Sequence, residues 1–347
     1  MDKNFSKKIT WMSFLANILI LLEHANLDID NQPVQLHRLM DFFSMLASPT
    51  MGWFFFTTAY FFFRRIKSVE NIKKQINKRI YSLLLPYVIW NTFGMVLHII
   101  GGEYTGGISV WQLIRNNYIF YGGTGCGNGP LWYIARLFTF FCLAPVIFYI
   151  NRKTRLRDFF VLEIVIIAIN GQLRTNNYDF IFFLPFFLAG AYIGQVYSEP
   201  FEEYIGNKNK NAVKVFLALA FIIIISELKS SIKNCMIPEV YRVVSLVLIF
   251  ISLSNLGEVS KPRDFVYNSG MYLYCAHDII YRIVRVVLDN VSTDTRLLQI
   301  KFLVVSFSLL FLGWALMSRY TPRLLHALSG GRNSRKLREP PEERKRV

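Results

Sequence analysis

Two of the five histidines in this 347-residue chain stand inside long apolar runs, next to carboxylates. A neutral imidazole accepts a proton from a hydroxyl near working pH, so such a His is suited to general-base chemistry. His24 follows Glu23, and Ser13, Asn17 and His24 are four and seven residues apart, which puts them on one helical face. Glu23 points about 100° away around the axis. A helix from Ile9 would place His24 about 22 Å along it, deep toward the far side of an apolar layer. The bland alternative is an interfacial His satisfied by a backbone carbonyl. A second stripe, Tyr274, His277, Asp278, Tyr281, Arg282 and Arg285, recurs at three- and four-residue spacing. Asp278 and Arg282 can pair one turn apart. A stripe of this kind either lines a polar cavity or ties helices together by hydrogen bonds. Arg136, one turn beyond Trp132 and Tyr133, requires a carboxylate, a carbonyl or an anionic ligand. Trp53 reads as packing. No Cys/His spacing resembles a metal site, so no metal is expected.

The elements that must position these residues are membrane helices. Hydrophobic residues make up 53% of the chain and charged residues 18%, against about 25% charged in soluble proteins. Mean hydropathy is +0.33. Disorder, collagen, coiled coil and disulfide scaffolds are excluded. Runs long enough to span a bilayer fall at 10–26, 39–63, 80–100, 131–150, 158–173, 178–197, 211–227, 240–256, 266–288 and 301–318. These predict an all-α polytopic protein of about ten transmembrane helices. The second run holds Pro49 and Gly52, which predict a tilt or break, and the fifth carries Glu163 and Asn170. The first run lacks a small-residue cleavage site and reads as a retained span.

Lys and Arg total 39 against 23 acidic residues, a net charge of +16. In a soluble chain this would suggest nucleic acid; here its distribution argues otherwise. Arg64, Arg65, Lys67, Lys73, Lys74, Lys78 and Arg79 fill one connection, and Arg152, Lys153, Arg155 and Arg157 another. The opposite connections carry only Arg38 (27–38) and Arg115 (101–130). Basic residues collect on the cytoplasmic side, so the pattern predicts N-in, C-in topology and no nucleic-acid partner. Residues 1–320 read as one membrane-embedded domain and 321–347 as a polar, basic cytoplasmic tail. The Gly-rich stretch from Tyr121 to Pro130 reads as an outer lid. Cys142 and Cys275 read as small apolar residues, whereas Cys126 and Cys235 share the outer side, where a bridge is geometrically allowed.

Five segments, in order, resemble the acyltransferase 3 family of integral-membrane O-acyltransferases. They are the helix Ile9–His24 ending in Glu-His; the Phe-rich run Trp53–Phe63; Lys78-Arg-Ile-Tyr-Ser-Leu-Leu-Leu-Pro-Tyr87; Gly129-Pro-Leu-Trp-Tyr133; and Ser269-Gly-Met-Tyr-Leu-Tyr-Cys-Ala-His277. The likeness covers about 10–320. The chain departs from the family pattern at Ser13, where a basic residue is usual, at Thr58-Ala59 in place of Ser-Gly, and at Ser82 in place of the second Arg of an Arg-x-x-Arg pair. Similar departures occur in small, divergent members that look like sugar O-acetylases.

The resemblance implies transfer of an acyl group, usually acetyl, from cytoplasmic acyl-CoA to a hydroxyl of a cell-surface or lipid-linked glycan, at the plasma membrane. Acetyl-CoA would be a co-substrate, with no permanently bound cofactor, and glycan-synthesis proteins are expected partners. In this setting His24 is the expected base, its tautomer set by Glu23 or by a residue on another helix. Lys74, Lys78 and Arg79 would meet the CoA phosphates. Arg136 or Arg282 would steady the carbonyl oxygen, in a cavity shared with Asn17, Trp132 and His277. The rival class is an exporter of a glycan or its precursor, which ten spans and a polar cavity also suit.

Overall fold

A computed structural model describes residues 2–27, 33–101, 109–119, 127–173, 183–231, 237–291 and 298–331. Among these every regular element is helical, apart from one isolated bridge between Lys210 and Leu256. The chain begins with α1 (Lys3–His24), α2 (Val34–Ala47), α3 (Thr50–Phe63) and α4 (Val69–Arg79). A π-turn (Ile80–Leu84) leads into α5 (Leu85–Ile100), followed by α6 (Val110–Ile114) and a second π-turn (Arg115–Ile119). A 3₁₀ turn (Gly129–Leu131) opens α7 (Trp132–Cys142), and then come α8 (Ala144–Lys153), α9 (Leu156–Leu173), α10 (Leu184–Val196) and α11 (Ser198–Gly206). The remainder is α12 (Ala212–Ser231), α13 (Ile237–Asn255), α14 (Asp264–Asn268), α15 (Gly270–Val291), α16 (Leu298–Tyr320) and α17 (Pro322–Leu328).

The described part of every predicted apolar run is helical, but three runs are interrupted. The second breaks at Ser48-Pro49, between α2 and α3, as Pro49 predicts. The fourth, read as one span, bends by 58° between α7 and α8. Pro145 at the start of α8 has no N–H to continue the ladder. The ninth is interrupted at Ser269. The basic connection, read as a loop, is partly helix: α4, the π-turn and α5 run on as one 32-residue helix, Val69–Ile100, basic in its first part and apolar after it. Pro86 explains the π-turn. It cannot donate to the Ser82 carbonyl one turn back, and Leu85 reaches Ile80 instead.

Lys3–His24, Val69–Ile100 and Leu298–Tyr320 are each long and apolar enough to cross a bilayer, and the bent α7–α8 pair passes the same test taken together. Large apolar side chains stay exposed on these and shorter helices, among them Val213, Phe216 and Leu217 on α12 and Val304 on α16. Exposure on this scale suits lipid rather than water. The protein is an all-helical membrane protein.

The chain forms two compact units. The first comprises Met1–Ile20, Asp41–Gln75 and Phe140–Val266. Its centre is the packing of α10 on α3, where a methyl group at Gly190 or Gly194 would overlap the Phe56 or Tyr60 carbonyl. Trp53 packs as expected: it is fully buried, its ring lies tilted against Phe250, and it donates to the Ser13 hydroxyl. The second unit comprises Leu21–Met40, Ile76–Thr139 and Tyr267–Val347. Here α15 packs on α16 and α5, and α17 packs on α16 and α5. The segment read as a polar tail from residue 321 therefore starts with a docked helix. Leu325 and Leu328 are buried, and Trp90 Nε1 donates to the Leu328 carbonyl at 3.0 Å. Gly330, at φ +63°, rests on the Ser82 carbonyl, the one that the missing N–H of Pro86 cannot reach. Cys126, Cys235, residues 121–126 of the Gly-rich stretch and the tail beyond 331 lie outside the described residues.

Candidate active site

The second unit brings the two histidines together. The imidazole rings of His24, at the end of α1, and His277, on the second turn of α15, have centroids 5.2 Å apart with planes inclined by 31°. His24 is exposed and His277 is fully buried. His277 Nδ1 lies 2.7 Å from the Tyr274 carbonyl, so Nδ1 carries the proton and donates. Nε2 is then an acceptor, and it is buried with no hydrogen-bond partner among the described residues. The pair presents one open imidazole and, behind it, one unused lone pair.

The helix end that carries His24 is fixed by α15 and α16. The Tyr281 hydroxyl donates to the Leu21 carbonyl at 2.9 Å, and its ring stands edge-on to His277. The buried Gln299 donates to the Ala25 carbonyl (2.8 Å) and accepts from the Leu27 N–H (3.0 Å). These bonds tie the last turn of α1 and the residues just after it to α15 and α16.

Charge is supplied across helices. Asp278 is a carboxylate within electrostatic reach of His24. Glu23, expected as one candidate for this role, is half-buried on a different face of α1. The predicted Asp278–Arg282 pair forms at 2.9 Å. Arg282 also donates through Nη1 to His98 Nε2 on α5. Two of its nitrogens are thus engaged by protein partners, which narrows the carbonyl-steadying role expected of it.

The 127–131 segment is held by a ladder of buried Asn side chains. Asn117 Oδ1 accepts from the Gly127 N–H, and Asn91 Oδ1 accepts from the Asn128 N–H at 3.2 Å. Asn91 Nδ2 and the Tyr87 hydroxyl both donate to the Asn117 carbonyl. Asn128 Nδ2 donates to the Cys275 carbonyl at 2.9 Å, and the Tyr274 hydroxyl donates to the Pro130 carbonyl. The ladder seats Gly129–Tyr133 against α15, where Tyr133 meets Tyr274 edge-on at 5.9 Å. Trp132 and Arg136 follow on successive turns of α7, both half-buried.

The remaining sequence candidates fall elsewhere. Asn17 is buried on the part of α1 that belongs to the first unit. Lys74 and Lys78 are exposed one turn apart on α4, whose buried face is Ile72 and Gln75, and Arg79 is half-buried at its end. Among the described residues no three His, Cys, Asp or Glu side chains converge as a metal ion would require. Sequence reasoning missed Asn91, His98, Asn117, Asn128 and Gln299. A signal existed for the first two: Asn91 and His98 are seven residues apart inside an apolar run, the spacing of Asn17 and His24.

None of the curated proteins and none of the solved structures matches the chain. The family model described as an acyltransferase domain matches residues 7–318, which include both histidines, α4 and the Asn ladder. The chain belongs to the acyltransferase 3 family, and is a membrane acyltransferase.

Proposed function

We propose that this acyltransferase moves an acyl group, most simply acetyl, from cytoplasmic acyl-CoA to a hydroxyl of a cell-surface or lipid-linked glycan. It does so in the plasma membrane, with ten spans and both termini inside. The observation that carries the proposal is the open His24 imidazole beside His277 and within reach of Asp278. The acceptor oxygen attacks the thioester carbonyl carbon while its proton passes to His24. Collapse of the tetrahedral adduct breaks the C–S bond, and His24 returns the proton to the departing thiolate. Asp278 stabilises the imidazolium formed between the two steps. Arg136 steadies the oxyanion, and the buried His277 ring backs the His24 imidazole. Trp132 gives that sugar an apolar wall.

Donor binding is assigned to α4, with Lys74, Lys78 and Arg79 meeting the CoA phosphates. Replacing Lys74 and Lys78 together with Glu is expected to raise the KM for acyl-CoA at least about tenfold, with kcat changed less than about threefold. Their exposure makes the substitution structurally mild, and steady-state kinetics on membranes with labelled acetyl-CoA would measure it. The acceptor is tested by mass spectrometry of surface glycans with and without the gene. Loss of one acetyl increment per modified sugar is the expected result. Intact acetylation with missing polymer would instead indicate export.

A further inference from the structure

The row of charged and polar groups beside His24 does not end at Arg282. We infer that His98 is a positioning residue for acyl transfer, acting on His24 through Arg282 and Asp278; this rests on His24 being the base. Asp278 alone is a short side chain with free rotamers, and its pairing with a residue on its own helix would not fix it against α1. The fixed point comes from α5. His98 is buried, at 7% exposure, and its Nε2 accepts from Arg282 Nη1 while Arg282 Nη2 holds Asp278 at 2.9 Å. A planar guanidinium held at two nitrogens has little freedom left, so Asp278 keeps one orientation toward His24. Nε2 accepts only in the neutral imidazole with its proton on Nδ1. A cation at position 98 would face the guanidinium as a like charge.

The polar row also explains why a half-buried Arg is tolerated in this helix. An isolated guanidinium in an apolar layer is costly, and Arg282 has both a counter-charge and a neutral acceptor. His98 is thus matched to Arg282 as an acceptor, and Gln at this position, whose Oε1 is also an acceptor, should preserve the row.

The test reads His24 directly, in purified full-length protein with neither donor nor acceptor present. Diethyl pyrocarbonate modifies the neutral imidazole, and positive charge develops on the ring as it reacts, so a fixed carboxylate speeds the step. At pH 8, His98→Ala and His98→Lys are expected to slow modification of His24, mapped by peptide mass spectrometry, at least threefold. His98→Gln should stay within a factor of 1.5 of wild type. In an Asp278→Asn background, His98→Ala should add no further slowing. Wild-type rates in His98→Ala, or an additive effect on the Asp278→Asn background, would overturn the inference. A fall in His98→Gln equal to that in His98→Ala would do the same, since it would mark loss of packing rather than of the acceptor. A transfer assay on His24→Ala separates the two proposals: unimpaired transfer removes the base, whatever the modification rates show.

Discussion

His24→Ala should lower acyl transfer by about a thousandfold, the scale of a lost general base, while the protein remains in the membrane at wild-type abundance. The two halves of this expectation have different origins. The activity loss follows because no other open imidazole stands in the pair: His277 is sealed, with Nδ1 committed to the Tyr274 carbonyl. The intact abundance follows because His24 is exposed, and the end of α1 is held by Tyr281 and Gln299 through backbone carbonyls that the substitution leaves in place. Transfer from labelled acetyl-CoA in membranes, normalised to immunoblot signal, measures both. Activity within tenfold of wild type would remove His24 from the mechanism. His277→Ala offers a contrast, since it deletes a fully buried ring and should cost about 2–4 kcal/mol of stability as well as activity.

Much of this site was visible in the sequence, for a reason that also marks the limit. Helical periodicity reveals which residues share a face, so Asn17 and His24, and Tyr274 through Arg285, could be grouped from spacing alone. The Asp278–Arg282 pair is local and was legible for the same reason. Periodicity does not say which face meets which. His98 is 184 residues from Arg282, and Asn128 reaches Cys275 across 147; neither pairing has a local signature. The same applies to backbone irregularities. Pro49 announced a break, because the missing N–H acts within one turn; the π-turn before Pro86 was not read from the sequence, though the same missing N–H bears on it. The seating of Gly330 on the Ser82 carbonyl depends on a segment that folds back from the far end of the chain.

The Asn ladder leads to the second large effect, at a residue with no side chain. Gly94 on α5 lies under the Gly127 carbonyl, and a methyl group there would occupy the same space; from the other side, a methyl at Gly127 would overlap the Asn91 carbonyl and the Met95 N–H. Neither partner can step aside, because both are backbone and both are tied by Asn91 and Asn117. Gly94→Ala should therefore displace 127–131 from α5, at a cost of about 3 kcal/mol or more. The damage would reach the site through two bonds, Asn128 to Cys275 and Tyr274 to Pro130, which join that segment to the turn of α15 before His277. Transfer should fall at least a hundredfold and the apparent melting temperature should drop clearly. Gly129→Ala is the control: an added methyl group there meets nothing within 4 Å, and the residue does not have a positive φ. It should leave both readings near wild type. If Gly94→Ala behaved like Gly129→Ala in melting and in transfer, the crossing of α5 by the 127–131 segment would not be what seats the histidine pair.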